Sequence, residues 1–477
     1  MKPEILTLCL FAVQGTAIWP LPVQYASGLT FLWLSPNVTF NYLPANATSA
    51  VCALLYPPLH LLTFGAQTSN AAPYTNTTTN QNMNASAGID SYTIVQNAVQ
   101  YTMTELFNDD FVPWRFHPRN SSYEPPVNGS VGASVAYINQ VNIYQNATDP
   151  FNVLKSMAGG VNESYTIIIT DDGQVNITSI HSVGIIRALE TFSQMFFTTA
   201  DGTGVYTNQA PIMISDYPMF PHRGLNMDVA RNYFPVTDIM RTIDALAFNK
   251  FNRLHLHATD AQSWPLEIPA LPNLASMGAY QPGMSYSPDD LAQIQTYGAY
   301  RGVQVIIETD MPGHTASIAY SRPDLIAAFN VQPDWTTYGA EPPTGGLKLN
   351  SSAVYDFLGT MFNDLLPRVY PYSAYFHTGG DEVNANVYLL DETVHSNSSS
   401  VLQPLLQAFV NFTHAKVRAA GMTPVVWEEM LLQWNLTLGS DVVVQTWQSD
   451  SAVANTVAQG HKALAGNYNY WVRVLAI

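Results

Sequence analysis

"VTDIMRTIDALAFNKFNRLHLHATD" (residues 236–260) changes its period partway along. Up to Lys250, the residues Val236, Ile239, Met240, Ile243, Leu246 and Ala247 recur at helical spacing and share one face. "RLHLHAT" then forms a run of strand length, with His257 and Asp260 at its far end. A helix that feeds a strand with polar residues at its exit is the repeating half of an α/β fold.

The same rhythm runs on both sides of that stretch. Strand-like runs stand at "GLNMDVA", "VQVIIET", "SAYFHTG", "PVVWEE", "DVVVQTW" and "HKALAGNYNY". Helical patterns separate them. "SPDDLAQIQTYGAYRG" opens with Ser287 as N-cap and Pro288 at the first helical position. "SAVYDFLGTMFNDLLPRV" puts Val354, Phe357, Leu358, Met361, Leu365 and Leu366 on one face. Parallel strands alternating with helices give either an open doubly wound sheet or a (β/α)8 barrel. No G-x-G-x-x-G follows a strand, which counts against the dinucleotide-binding sheet. Polar residues collect at several strand ends: His257 and Asp260, Glu308 and Asp310, Asp381 and Glu382, then Trp427 with Glu428, and Trp447. A barrel draws its site from several strand ends and an open sheet from one crevice, so the pattern predicts a TIM-type barrel over 216–477.

Ahead of the barrel the rhythm is mixed. "SYTIIITDDGQVNITS" alternates around Asp172-Gly173 as a hairpin does, and "SVGIIRALETFSQMF" follows at helical spacing. These elements predict a smaller α+β domain within residues 18–215, interrupted by a polar tract near 66–87 that reads as a linker. Lys2, an apolar run from Ile5 to Val13, and small residues at Gly15 and Ala17 read as a signal peptide over 1–17.

Composition narrows the chemistry. Charged residues make up 11 % of the 477, less than half of the roughly 25 % usual in soluble proteins, so amides and hydroxyls must supply the surface polarity. Aromatics at 12 %, with abundant amides, suit sugar recognition. A net charge of −17 leaves no basic stripe for nucleic acid and no attraction to an anionic membrane surface. Thirteen N-x-S/T sequons, including Asn350, Asn397, Asn411 and Asn435, favour a glycosylated, secreted chain. Cys9 leaves with the leader, so Cys52 has no partner in the mature chain, and neither a disulfide nor a cysteine-zinc site is expected.

The neighbouring carboxylates Asp381 and Glu382 are the sharpest signal. Ordinary glycoside hydrolysis sets two carboxyl groups on either side of the bond, whereas adjacent residues of an extended chain point opposite ways. Substrate-assisted hydrolysis escapes that objection, because the sugar's own 2-acetamido oxygen attacks the anomeric carbon. "FHTGGDEVN" resembles the catalytic motif of the β-N-acetylhexosaminidases of glycoside hydrolase family 20. "FPHRGLNMDVARNYFPV", "AFNKFNRLHLHATDAQSWP", "ETDMPGHTAS", "PVVWEEM" and "VVVQTWQ" resemble further family segments in the same order, most closely those of fungal secreted members.

The resemblance implies hydrolysis, with retention, of terminal β-linked N-acetylglucosamine or N-acetylgalactosamine from chito-oligosaccharides and glycoconjugates, without cofactor or metal. It implies Glu382 as general acid/base, its pKa raised by burial and by Asp381, which would hold the acetamido group. Arg231 would grip sugar hydroxyls, Trp427 and Trp447 would wall the pocket, and Asp260 and His314 would orient Glu382. Family members often form homodimers, which the resemblance extends to this chain. His255-x-His257 raises a metal-dependent barrel as a competitor, since alternation places both imidazoles on one face. The later strand ends offer Trp and Glu where such a site needs His and Asp.

One departure stands at the C-terminus. Where the family continues with Tyr-Leu-Asp, this chain reads Val472-Arg473-Val474-Leu475-Ala476-Ile477. The expectation is a barrel lacking its eighth strand and helix, with a tail derived from an unspliced intron or a truncated gene model. The alternative function is then a non-hydrolytic chito-oligosaccharide-binding protein or an inactive fragment.

Overall fold

The computed structural model describes residues 18–45, 52–54 (backbone only), 90–108, 136–199 and 202–466. The leader over 1–17, the tract at 66–87, the Cys52 side chain, the tail from 467, and the sequons at Asn46, Asn76, Asn84, Asn120 and Asn128 lie outside the residues so described. The chain divides into two compact units, residues 1–150 with 162–219, and residues 151–161 with 220–477.

In the first unit, strands β1 (Gln24–Leu43), β2 (Cys52–Leu54), β3 (Tyr137–Gln145), β4 (Tyr165–Ile169), β5 (Val175–Ser179), β6 (Phe197–Thr198) and β7 (Val205–Asp216) form one sheet in the order β2-β1-β3-β5-β4-β7-β6. The Asp172-Gly173 hairpin forms as read, with Ile169 opposite Val175. Gly173 sits at φ +87°, and a Cβ there would meet the Tyr137 carbonyl oxygen at 2.7 Å. Helix α1 (Ser91–Phe107) starts at Asp90, whose carboxylate accepts from the Thr93 N–H. Every residue of helix α2 (Ser182–Ser193) is buried. A helix buried on all sides needs cover on all sides, and α2 has contacts both with α1 and with β3, β4 and β5.

In the second unit, seven parallel strands follow one another, each neighbouring the next. They are β8 (Gly224–Asp228), β9 (Arg253–His257), β10 (Gln304–Glu308), β13 (Tyr375–His377), β14 (Thr423–Trp427), β15 (Val443–Thr446) and β16 (Lys462–Ala465). A short ladder of β11 (Ile326–Ala327) and β12 (Gly346–Leu347) lies between the third and fourth of them. Helices α3 (Val236–Phe248), α5 (Pro288–Tyr300), α6 (Ser352–Val369), α7 (Ser399–Ala419) and α9 (Asp450–Ala458) occupy the crossovers, with the shorter α4 (Asn273–Gly278) and α8 (Glu429–Leu432) in loops. Helix α5 begins with the expected cap. Ser287 and Asp290 bond each other's backbone N–H, and Pro288 needs no such partner. The result is the curled parallel sheet of a TIM-type fold.

Alternation along the strands separates two environments. Leu254, Leu256, Val305, Ile307, Phe376, Val426 and Val444 belong to the large core they share with the helices. The alternate positions Ile306, Tyr375, Val425 and Val443 form a second, smaller cluster with Met157 packed against it. Segment 151–161 supplies that methionine and is tied to the strands beside it. Ser156 accepts from Arg253 and Gln304, and the Ala158 N–H donates to the Tyr375 hydroxyl at 2.8 Å. Further along the same strands, the positions of this second set turn polar.

Candidate active site

The register of the parallel sheet places Asp228, His257, Glu308 and His377 side by side on four adjacent strands. Residues level with one another in a parallel sheet face the same side, so this row is polar by construction. Glu308 is its centre and is fully buried. Its carboxylate meets His255 Nε2 at 2.8 Å, His257 Nδ1 at 2.5 Å, the Trp427 indole N–H at 2.7 Å and His377 Nδ1 at 3.1 Å. Burial would raise the Glu308 carboxyl, yet His377, His257 and His255 together hold it well below the usual carboxylate range.

From His257 the contacts lead outward. Its Nε2 bonds Asp260 at 2.7 Å, and Asp260 in turn accepts from His314 Nδ1 at 3.2 Å and pairs with Arg231 Nη1 at 2.9 Å. His314 Nε2 lies 3.4 Å from Glu382 and 3.9 Å from Asp381, ion-pair distances without hydrogen-bond geometry. Burial alone would lower His314, but Asp260 and Asp381 push it well above the ordinary histidine value. Asp260, Arg231, His314, Asp381 and Glu382 therefore meet in one place. Arg231 is further held by Asp228 at 2.9 Å and by Glu341 at 3.0 Å. Glu341, from the loop before β12, also accepts from Gln262 at 2.9 Å.

The approach of two adjacent carboxylates to one imidazole depends on the turn after β13. That strand ends at His377, and Gly379 and Gly380 follow at φ +70° and +106°. A Cβ on Gly379 would fall 1.8 Å from Asp310 Oδ1, and one on Gly380 would meet Met430 at 2.7 Å. Glu382 and His314 themselves lie in the left-handed region, at φ +47° and +46°. For non-glycine residues that conformation costs about 1–3 kcal/mol each, and it tends to occur where the surroundings hold a functional group in place. Because the chain is no longer extended here, the alternation that sends neighbours to opposite sides no longer applies.

One expectation is corrected. The Glu382 carboxyl is lowered, not raised, because the contact with His314 outweighs partial burial. The carboxyl that burial and the charge of Asp381 push well up is Asp310, whose Oδ1 also accepts the Gly380 N–H at 2.9 Å. Burial beside Asp381 likewise raises Glu429, to about 8.

The two tryptophans occupy different surroundings. Trp427 is buried, with its ring centroid 5.1 Å from that of His377 and its N–H on Glu308. Trp447 is half-buried, and its N–H reaches the two oxygens of Glu429 at 3.0 and 3.2 Å. Glu428 accepts the backbone N–H groups of Trp447 and Gln448, so the Glu428-Glu429 pair fixes the loop after β15.

His255, Glu308 and His377 bring three potential ligand atoms within 4.8 Å of one another, while the other histidine of the His255-x-His257 pair groups instead with Glu308 and Asp310 or with Asp228 and Asp260. Tetrahedral zinc with nitrogen ligands keeps those atoms about 3.3 Å apart. The His255–Glu308 contact at 2.8 Å is a hydrogen-bond distance, and a shared proton accounts for it.

Glu308, Glu341 and Glu429 carried no role in the sequence reading. Glu308 had one signal, a carboxylate closing a buried strand whose middle, residues 305–307, is apolar. Glu429 had its adjacency to Glu428 at a strand end. Glu341 had none, since its loop meets Arg231 across 110 residues.

Comparison with known proteins shows what the chain as a whole is similar to. Residues 220–472 match glycosyl hydrolase family 20, catalytic domain, and residues 18–195 match the description "beta-acetyl hexosaminidase like". A β-hexosaminidase of Arthroderma benhamiae is 40% identical over 475 residues, covering 95% of this chain and 75% of that protein. The β-hexosaminidase subunit alpha of Bos taurus is 32% identical, covering 95% and 74%. Among solved structures, the exo β-N-acetylglucosaminidase of Vibrio harveyi in complex with N-acetylglucosamine superposes with a TM-score of 0.63 at 18% identity. That match covers 94% of this chain and 60% of the Vibrio chain, and at such identity it speaks for the fold.

Proposed function

This chain belongs to glycosyl hydrolase family 20, and on that premise we propose that it removes terminal β-linked N-acetylhexosamine residues from oligosaccharides by substrate-assisted, retaining hydrolysis. The observation that carries the mechanism is the convergence of Asp381 and Glu382 on His314. Neighbouring carboxylates brought to one side by a left-handed residue can divide two tasks on one sugar. Asp381 accepts the acetamido N–H and steadies the positive charge that develops as the acetamido oxygen attacks. Glu382 protonates the departing oxygen and then takes a proton from the water that opens the cyclic intermediate.

In the free site the acid proton rests on the His314–Glu382 pair, mainly on His314. A bound sugar displaces water from Glu382, which favours its neutral form and moves the proton onto the residue that delivers it. Arg231, braced by Asp228, Asp260 and Glu341, offers the remainder of its donor fork to ring hydroxyls. The test compares a nitrophenyl N-acetyl-β-glucosaminide with the nitrophenyl β-glucoside that lacks the acetamido group. Nitrophenol release from the first alone is expected, and equal release from both would refute the mechanism.

We read the chain further as an exported glycoprotein. Asn350, Asn397, Asn411 and Asn435 are all exposed, as glycan attachment requires. A mass loss on enzymatic deglycosylation of the protein from its native source is the expected outcome.

A further inference from the structure

We propose that Glu308, buried beneath the proton donor, is a positioning residue that holds His257 as an imidazolium and thereby sets how Asp260 is shared between Arg231 and His314. This inference rests on the glycosidase reading above and assigns a role to the inner half of the contact chain, Glu308 and His257.

The geometry requires the charge on His257. Both of its ring nitrogens face carboxylates, Nδ1 at 2.5 Å from Glu308 and Nε2 at 2.7 Å from Asp260. A carboxylate accepts and does not donate, so an imidazole bonded to one on each side carries both protons. Glu308 is suited to impose that state. It is fully buried, His255 and Trp427 donate to it as well, and His377 and the buried carboxyl of Asp310 are the other titratable groups beside it.

Asp260 is saturated in its turn. Oδ2 takes His257 and Arg231, and Oδ1 takes His314 and the Ala261 N–H. Charges therefore alternate from the interior to the mouth: Glu308 negative, His257 positive, Asp260 negative, His314 and Arg231 positive, Glu382 negative.

Removing the innermost charge changes the balance at the mouth. With an amide at position 308, His257 keeps one proton and gives it to Asp260 as a neutral donor. Asp260 then has only Arg231 and His314 as cationic partners and, through Nδ1, holds the positive charge on His314 more firmly. His314 therefore gives up its Nε2 proton, the one that faces Glu382, less readily. The loss falls on leaving groups that require protonation and spares those that depart as stable anions.

The experiment is a leaving-group comparison on the full chain with Glu308→Gln. For chitobiose, whose leaving group is an unactivated sugar hydroxyl, kcat/KM is expected to fall roughly tenfold or more beyond any fall for the dinitrophenyl N-acetyl-β-glucosaminide. The ratio of the two substrates, measured on one preparation, is independent of how much of the variant has folded. Glu308→Asp, which keeps the charge, should restore part of the ratio, and His257→Gln, which keeps a donor toward Asp260, should lower it as Glu308→Gln does. An equal fall on both substrates would assign Glu308 a purely structural role and overturn the proposal. Should the unaltered chain hydrolyse neither substrate, the glycosidase reading fails first and this inference with it.

Discussion

Both units bury charge, and they do so in different ways. In the first, Arg187 on α2 meets Glu163 at 3.0 Å, with side chains only 2% and 5% exposed. In the second, Glu308, His257 and Asp260 are buried in succession, and the series passes through His314, whose side chain is 7% exposed, to emerge at Glu382, whose side chain is 31% exposed. The first pair lies wholly inside its unit, against a helix covered on all sides. The second begins in a barrel interior and ends at a strained turn open to solvent. Burial of charge alone does not mark a functional site. A connected path to an exposed group held in a costly backbone conformation does.

Breaking each cluster should separate the two roles. Glu382→Gln is expected to lower kcat/KM for chitobiose by roughly 10²–10⁴-fold with only a small change in melting temperature, since His314 keeps Asp260 as its buried partner. Arg187→Met is expected to cost about 3–5 kcal/mol of stability, read from the denaturant midpoint, because it removes one member of a buried ion pair. Activity per folded molecule should stay at the parent level. Adding Glu163→Leu should recover most of the loss, and failure to recover would contradict the view of this pair as structural.

His314→Gln tests the sharing of the acid proton. In the parent, activity persists until the His314–Glu382 pair loses its last proton, at the raised value of His314. With the imidazole gone, Glu382 titrates alone, so the alkaline limb of kcat/KM should move down by about a pH unit or more. An unmoved limb would place the proton elsewhere.

The smallest effect is expected at Glu429, whose carboxyl is pushed up to about 8 by burial and then by Asp381. Its folded value lies above its unfolded one, so its contribution to stability is full below about pH 4.5 and is lost as pH rises through about 8. Glu429→Gln should flatten that part of the stability profile between pH 5 and 8, as thermal melts would show. The Trp447 side chain, whose N–H bonds Glu429, provides a fluorescence readout of the same transition.

Much of the fold was legible because it is periodic. All seven strand runs from "GLNMDVA" to "HKALAGNYNY" form strands of one sheet, and Ser287 caps its helix as read. Asp260, Asp381 and Glu382 were legible because each sits at a strand end, whereas Arg231 and His314 were reached only through the family resemblance of the short segments that hold them. What escaped depends on register. That Glu308 stands level with His257 and His377 follows from how three strands align, and no single segment states it. The direction of the Glu382 shift escaped for the same reason, since it is set by His314, 68 residues earlier in the chain. Adjacency suggested that Asp381 would raise its neighbour, whereas Asp381 raises Asp310 and Glu429, across the turn that Gly379 and Gly380 make possible.

The central claim is that the substrate's acetamido oxygen is the nucleophile and that Asp381 and Glu382 serve it. The most direct measurement is kcat/KM for nitrophenyl β-glucosaminides whose N-acetyl group carries zero, one, two or three fluorines. Each fluorine withdraws electrons from the attacking oxygen, so a steep, monotonic fall along the series is predicted. A flat series would contradict the account, because it would mean that a protein carboxylate or a water attacks the anomeric carbon directly.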